Sequence, residues 1–462
     1  MAPTPRECDV TRTHWPRRLL LGAVAIALLA AATSAWLWSR ALGDLETKLA
    51  AIRALGEPVT IAELMASAPP LAAEQDVAEL WLKAGSDIET AQRAPNARRL
   101  PILGDAPAPP PPGQPWAEKE LVREFLADNA AAMRRMHEAA GRGGQARFMG
   151  LITLVGPGTP TVNHNQLGSL RGCGRALLLE AKVHSHDGDA HAAADSLRAG
   201  LLLSRSLEAG PPAVTSLVRV ALFSTAADEL KQLLPVMEWT DEDLKRLAST
   251  LEELDFKPDV KRALIGERVF AIASFEHFTG GPPWKRLLGG VIYGADEVRF
   301  LEIMADCVAA ADSPWPELLS FTDNLQTEVD RRTSPRWNKL TRIFLSPATT
   351  SMVNAFARAE LTRRLTIIAI ALERYRRREG APAESLATLV PIYLAHMPED
   401  PTTGEPFHYA ASGSGYAVWS PTQRFAMSQD ETPDRHTGAY PRCIFRWPPA
   451  AGASRNEKSD EQ

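Results

Sequence analysis

The sequence predicts a mainly α-helical fold, with an N-terminal transmembrane helix, an irregular helical array and a small C-terminal α+β region that carries a short antiparallel sheet. Three observations lead to this prediction. An uncharged apolar run lies near the N-terminus, and apolar residues recur every three or four positions through the middle of the chain. A turn-rich stretch with alternating apolar residues follows near the C-terminus. We therefore expect an anchor, a helical body and a small tail.

The chain begins with a short basic tail, residues 1–18, followed by the predicted anchor, residues 19–38. The anchor contains no charged residue and is long enough to cross a hydrocarbon core of about 30 Å. Arg17 and Arg18 precede it and Trp38 closes it, a pattern typical of membrane interfaces. Because basic residues favour the cytoplasmic side, we predict a single-pass protein of the inner membrane with a cytoplasmic N-terminus and an extracytoplasmic body.

A cleaved signal peptide is the alternative interpretation of this run. The small residues ATSA, which end at Ala35, match the residue types found before a cleavage site. However, the apolar core of a cleaved segment spans only about 7–15 residues. The length of the run therefore favours a retained anchor.

Composition and cysteine use exclude several classes of protein. The formal net charge is -5 and the pI is near 6.1, so the chain lacks the basic character expected of a nucleic-acid-binding protein. The cysteines lack the paired spacing of a zinc site. One of them lies on the predicted cytoplasmic side, so at most one disulfide can form among the other three. They are Cys8, Cys173, Cys307 and Cys443. No cofactor is predicted.

Two segments connect the anchor to the main helical region. Residues 39–101 form a predicted membrane-proximal helical segment, and residues 102–115 are rich in proline. Proline-rich chain is stiff and extended, so we interpret 102–115 as a linker. Recognition of this segment by a proline-binding domain is the alternative interpretation.

Residues 116–349 form the predicted helical domain. Within it, residues 166–209 resemble a tetratricopeptide-type hairpin of two helices joined at Gly188. A regular solenoid needs about three such repeats, and the sequence offers one, so we predict an irregular array. Thr240, followed by acidic residues, is the predicted N-cap of a later helix.

The densest group of candidate metal ligands lies at the turn of this hairpin. Imidazole and carboxylate groups in one short stretch are ligands for Zn²⁺ or another transition metal. They are His184, His186, Asp187, Asp189 and His191. The alternative is a solvated turn, in which aspartate and glycine are the expected residues. Two histidines two positions apart on a helix point in directions about 200° apart, which argues against a shared metal.

A second candidate site combines a thiol with a possible base. Cys173 lies between two glycines near a predicted helix start, where the helix dipole lowers the pKa of a thiol. His164 and Asn163 precede it and complete a possible nucleophile and base arrangement. The alternative is an unreactive thiol, because no partner at a readable spacing orients the pair.

Glu267 is a third candidate, as a catalytic acid on a buried helix face. Its alternatives are an ion pair with Arg262 or Arg268, or simple exposure. The sequence contains no phosphate-binding loop, no Gly-x-Ser-x-Gly and no His-Glu-x-x-His. No reaction is therefore assigned to the chain.

Residues 350–447 carry a long helix and the predicted α+β tail. Gly380 is expected to end the helix, residues 397–409 to form turns, and residues 416–420 to form an edge strand. A further strand is predicted at 440–447. The apolar stripe of the long helix consists of Leu361, Leu365, Ile368, Leu372 and Tyr375.

This order of elements resembles the globular head of type II secretion major pseudopilins. In that family a helix leads to a glycine, a proline, a Leu-x-x-Leu segment, a proline-rich turn and two or three antiparallel strands. The matching positions are Ala371, Leu372, Tyr375, Gly380, Pro382, Leu386, Leu389, Pro398, Asp400, Pro401, Gly404, Pro406, Tyr409 and Tyr416. The chain lacks the family's leader motif at its anchor, so the resemblance does not imply assembly into a pilus.

The pseudopilin family holds Ca²⁺ in the loop after the second strand. The resemblance therefore implies Asp430, Glu431 and Asp434 as oxygen ligands for calcium. The charged segment 448–462 is predicted to be disordered.

Together these patterns predict a scaffolding or protein-interaction protein of the cell envelope, near a secretion or pilus-like machine. Its expected partners are the lipid bilayer, through residues 19–38, and envelope proteins. The alternatives are an envelope hydrolase whose site is assembled from distant residues, and a metal-binding protein at residues 184–191.

Overall fold

The computed structural model describes the chain from residue 15 to residue 448 with gaps. The described ranges are 15–148, 150–155, 159–208, 210, 213–279, 283–345, 348–413, 415–422, 424–425 and 444–448. Outside them lie most of the predicted cytoplasmic tail, the predicted disordered tail, the predicted calcium ligands and two of the cysteines, namely Asp430, Glu431, Asp434, Cys8 and Cys443.

Most of the described chain is helical, as predicted. The helices are α1 (Trp15–Ala54), α2 (Ile61–Ala66), α3 (Ala78–Gln92), α4 (Lys119–Asp128), α5 (Ala130–Gly141), α6 (His164–Asp187), α7 (Ala190–Arg205), α8 (Ala213–Leu233), α9 (Asp241–Glu252), α10 (Lys257–Thr279), α11 (Pro283–Ala310), α12 (Trp315–Arg332), α13 (Lys339–Phe344) and α14 (Ala348–Glu379). The strands are β1 (Ile152–Val155), β2 (Thr159–Val162), β3 (His408–Ser412), β4 (Gly415–Trp419) and β5 (Ile444–Trp447).

Buried apolar side chains form a large core and a smaller one. The large core lies between α8, α9, α10, α11, α12 and α14, and it includes the fully buried Phe223, Phe300 and Phe356. The smaller core lies between α3, α5, α6 and α7 and includes Trp81 and Met136. Since α7 and α8 contribute side chains to both cores, the two cores are packed against each other.

Several helices end at the predicted residues. Gly188 adopts φ +76° between α6 and α7, a left-handed conformation that glycine adopts without a steric penalty. Asp189 and Thr240 cap α7 and α9, because each side chain accepts a hydrogen bond from the backbone N–H three residues later. Gly380, at φ +75°, follows the last residue of α14. The predicted pair of helices and its turn at Gly188 are therefore confirmed, whereas the resemblance to a tetratricopeptide hairpin stays a prediction.

α14 is more deeply buried than its sequence pattern predicts. The aliphatic residues of the predicted stripe are buried, but so is every residue from 365 to 373. The prediction of an amphipathic helix is wrong over this stretch, because α8, α9, α10 and α12 and the C-terminal sheet surround it. A helix enclosed on all sides needs apolar residues around its whole circumference.

The C-terminal sheet contains three antiparallel strands in the order β3-β4-β5. Tyr409 pairs with Val418 between the first two strands, and Val418 pairs with Phe445 of β5. The further strand predicted at 440–447 is confirmed over residues 444–447. Residues 440–443 lie outside the described ranges. The segment predicted as an edge strand forms β4, which is the central strand because it pairs on both sides.

A second sheet was not predicted from the sequence. β1 and β2 form a short antiparallel hairpin in which Ile152 pairs with Val162. Each strand has only four residues, and a proline lies within β2. Such a short pattern is a weak signal for a strand.

No helix in the described part of the chain combines the length and the apolar character expected of a membrane span. Several side chains of the predicted anchor, at positions 27, 30, 31, 34, 35, 37 and 38, lie outside the described set.

Candidate functional site

The N-terminal part of α1 presents apolar side chains that the body does not cover. All the described side chains between 19 and 36 are exposed, including the consecutive residues 19–26. The large ones are Leu19, Leu20, Leu21, Val24, Ile26, Leu28, Leu29 and Trp36. Because eight consecutive residues cover more than two turns, this apolar surface surrounds the helix and is not confined to one face.

The C-terminal part of the same helix packs against the body. Ile52 is buried in the large core, and Ala41 lies so close to α11 that a Cβ added at Gly294 would be 3.2 Å from the Ala41 Cβ. Lys48 Nζ lies 3.4 Å from Glu302 Oε1, also on α11. Because residue numbers increase in the same direction at both contacts, α1 and α11 run parallel. One continuous helix thus joins the exposed apolar segment to the body.

Two of the five candidate metal ligands contact α4 or the segment before it. His186 Nε2 lies 2.9 Å from the Pro110 carbonyl oxygen, so the proline-rich segment lies against the end of α6. Asp187 forms ion pairs with Lys119 and Arg123, at 2.5 and 2.9 Å. Burial raises the pKa of Asp187, but hydrogen bonds from Lys119 and Arg123 outweigh it and hold the pKa below its usual value.

The next two candidates, Asp189 and His191, form contacts with α7 and α9. Asp189 caps α7, and His191 Nδ1 lies 2.7 Å from Asp243 Oδ1 on α9. The hydrogen bond with Asp243, with further attraction from Asp195, raises the pKa of His191. These groups therefore stabilise the contact between α7 and α9 and do not point toward His186.

The five ligands do not converge. Among the residues that the structure describes, no three His, Cys, Asp or Glu side chains form a group that could hold a metal ion. His184 lies one helical turn before Gly188, and the other four have the separate contacts given above. The arrangement corresponds to the alternative of a hydrogen-bonded turn.

Cys173 is buried in the smaller core, in the middle of α6. Its thiol donates a weak hydrogen bond to the Trp81 carbonyl oxygen at 3.7 Å. Burial raises the pKa of Cys173 to about 12. The sequence hypothesis of a lowered pKa near a helix start is wrong, because α6 begins nine residues earlier at His164, which is exposed. Asn163 instead caps α6 by accepting from the Gln166 N–H.

Both described cysteines are therefore expected to be unreactive in the folded protein. Cys307 is also free and buried, and burial with the nearby Asp306 raises its pKa to about 12. A thiol with this pKa reacts on the order of a thousandfold more slowly near pH 8 than a free thiol. Titration of a Cys8→Ser/Cys443→Ser variant with a thiol reagent should detect no rapid reaction until denaturant is added. Two rapidly reacting thiols without denaturant would contradict the burial.

Glu267 lies on α10 and is partly buried. Burial raises its pKa, and its carboxylate accepts a hydrogen bond from the Ala213 N–H (3.2 Å) at the first residue of α8. The two arginines predicted as its partners form ion pairs with other carboxylates. Arg268 binds Glu57 and Arg262 binds Asp259. Glu267 thus stabilises a helix start.

Two buried ion networks on α14 were missed by sequence reasoning. In the first, Glu360 accepts from Arg363 at 2.7 Å and from Arg364 at 2.6 Å, and its side chain is 1 % exposed. The arginines also donate to backbone carbonyls, Arg363 to Leu251 at the end of α9 and Arg364 to Glu399 in the turn segment. This network links the turn segment, at Glu399, to α14.

The second network repeats the first thirteen residues later. Glu373 is fully buried and accepts from Arg376 at 2.6 Å and from Arg377 at 2.7 Å. Arg377 also donates to the carbonyls of Met237 and Trp239, in the connection between α8 and α9. The repeated Glu-x-x-Arg-Arg spacing is visible in the sequence, since residues three and four apart share a helix face, but its distant carbonyl partners are not.

A histidine and a carboxylate form a partly buried pair in the α5–α7 region. His137 Nε2 lies 2.7 Å from Glu180 Oε2, and Ser196 Oγ donates to the same oxygen at 2.7 Å. The carboxylate lies between the other two groups, so the imidazole does not contact the hydroxyl as a general base would. The hydrogen bond with Glu180 raises the pKa of His137.

This pair predicts a pH-dependent contribution to stability. Because the folded-state pKa of His137 is raised, its stabilisation is complete below about pH 6.5 and is lost as the pH rises through the folded value. His137→Gln should therefore reduce the free energy of unfolding more at pH 5.5 than at pH 8.5. Denaturant titrations at both pH values test this, with the exposed His164→Gln as control. An equal loss at both values would contradict the pairing.

Three groups with raised pKa values, Glu297, Cys173 and His137, lie on different helices. Burial, then Glu276 and Asp296, raises the pKa of Glu297 on α11 to about 8. Cys173 is on α6 and His137 is on α5. A described groove of about 230 Å³ at the end of α1 is lined by none of them; Arg53, Glu57 and Glu63 line it instead. This groove therefore contains neither a thiol nor an imidazole.

Comparison of the chain with protein-family models, with curated proteins and with solved structures finds no match. The resemblance of residues 350–447 to the pseudopilin head therefore stays a prediction.

Proposed function

We propose that this protein is a membrane-anchored scaffold of the cell envelope. Residues 19–38 hold it in the inner membrane, and the helical body after residue 40 binds envelope proteins on the extracytoplasmic side. The observation that carries the proposal is the apolar surface that surrounds the N-terminal part of α1. A helix that is apolar on every side requires an apolar environment, and a bilayer supplies one over the length of this run.

Two further features support a binding role for the body. Glu360 and His137, two of the ionisable groups with shifted pKa values, form contacts in separate places. Arrays of packed helices present extended surfaces to protein partners. The resemblance of the C-terminal region leads us to propose partners within a secretion or pilus-like assembly.

Crosslinking in native membranes, followed by capture of a tagged chain, tests this function. Reproducible capture of envelope or secretion proteins through residues after 40 is the expected result. Cytoplasmic proteins captured through the same residues would contradict the proposed topology. If no partner is captured reproducibly, the scaffold role is wrong and the enzymatic alternative is favoured.

A further inference from the structure

The start of α13 is fixed to α11 near the contact of α11 with α1. The buried carboxylate of Asp296 accepts hydrogen bonds from the Leu340 and Thr341 N–H groups, at 3.0 and 3.3 Å. It also accepts from the Asn338 side-chain amide at 3.4 Å. These bonds satisfy the free N–H groups at the start of the helix and set the position of the segment before it.

This segment lies close to the level at which the apolar run of α1 ends. Gly294 contacts Ala41, and because α1 and α11 are parallel, Asp296 lies beside residue 43 or so of α1. The apolar run ends at Trp38, five residues earlier. At 1.5 Å per residue, the start of α13 is therefore about 8 Å from the end of the run, measured along the helix axis.

Residues 334–344, which we name the α13 segment, expose apolar and basic side chains together. Trp337 is 65 % exposed and Ile343 is 64 % exposed, and Arg336 and Lys339 are also exposed. The Arg336 guanidinium lies 5.7 Å from the centre of the Trp337 ring. The segment contains no acidic residue. Exposed tryptophan beside arginine and lysine is the composition found at membrane interfaces.

We propose that the α13 segment is a second membrane contact, which binds the head groups of anionic phospholipids. Trp337 and Ile343 enter the interfacial layer, and Arg336 and Lys339 face the lipid phosphates. This inference rests on the proposed function, since α1 brings the segment to the bilayer. Contact at two places holds the body in one orientation relative to the membrane.

A fluorescent probe on the full-length chain tests this contact. In a Cys8→Ser/Cys443→Ser background, Pro335→Cys places an environment-sensitive dye on the exposed start of the segment. Ile392→Cys, also at an exposed position in the loop after α14, is the matched control. The protein is incorporated into nanodiscs of phosphatidylcholine and phosphatidylglycerol that carry a head-group spin label. We expect a blue-shifted, quenched emission from the probe at 335 and neither effect at 392.

A charge reversal separates head-group binding from simple proximity. Arg336→Glu/Lys339→Glu should abolish the quenching at 335, whereas reversing the exposed pair Arg98→Glu/Arg99→Glu should leave it unchanged. If the protein enters the nanodiscs but the probe at 335 behaves like that at 392, this inference is overturned and the anchor stands. If the protein does not enter the nanodiscs, the proposed function itself is wrong.

Discussion

Replacing both Ile26 and Leu29 with arginine is expected to move the protein from the membrane fraction to the soluble fraction. Both side chains lie near the centre of the uncharged run and are 71 % exposed. Placing an arginine at the centre of a membrane helix costs about 3 kcal/mol on insertion scales, so two should remove most of the anchoring. The fraction that remains in the pellet after alkaline extraction of membranes measures the effect.

Leu55→Arg is the matched control for this variant. Leu55 is 74 % exposed but follows the last residue of α1, on the body side of the proposed anchor. Its substitution should leave the protein in the pellet. A double variant that stays in the pellet as completely as the wild type would show that residues 19–38 do not anchor the chain.

The second large effect is expected at Glu373. Its side chain is fully buried between Arg376 and Arg377, and Glu373→Leu leaves two arginines in that region without their carboxylate. Breaking a buried ion network by removing one partner costs about 3 kcal/mol or more. We therefore expect the free energy of unfolding in detergent, measured by urea titration with circular dichroism, to fall by about 3 kcal/mol.

Glu379→Gln provides the control on the same helix. Glu379 is 46 % exposed, and its nearest cation, Arg378, is 66 % exposed. Exposed pairs contribute little, so this change should alter the free energy of unfolding by about 0.5 kcal/mol or less. Equal losses for the two variants would mean that the buried network does not stabilise α14.

Glu360 and Glu373 should act independently. They are thirteen residues apart on one helix, about 20 Å along its axis, and their arginines bind different carbonyls. Distant sites with no shared partner usually have additive effects. The loss in the Glu360→Leu/Glu373→Leu variant should therefore equal the sum of the two single losses.

The parts of the fold that were predictable depend on local chemistry. Gly188, Asp189 and Thr240 mark helix ends because a left-handed glycine and a capping side chain act within a few residues. The strand β4 was predictable from the alternation of residues 416–420. The full burial of α14 was not, because it depends on which helices pack around it.

The candidate sites depended on contacts between distant residues, and the sequence could not show these. His186 and His191 are five residues apart, yet they contact Pro110 and Asp243 on opposite sides of the hairpin. The position of Cys173 between two glycines suggested a reactive thiol, but its burial under Trp81 raises its pKa instead. The arginines of α14 were visible as a repeated spacing, while their carbonyl partners lie more than thirty residues away.

Cysteine labelling in intact cells tests the central claim, the anchored topology, most directly. The native Cys8 precedes the proposed anchor, and Ile392→Cys lies in the exposed part of the body. The two are compared in separate chains, each with Cys443→Ser and the Ile392→Cys chain also with Cys8→Ser. The outer barrier is first made permeable to a maleimide that cannot cross the inner membrane. We expect position 392 to react and Cys8 not to react. Labelling of Cys8 without labelling of position 392, or equal labelling of both, would contradict it.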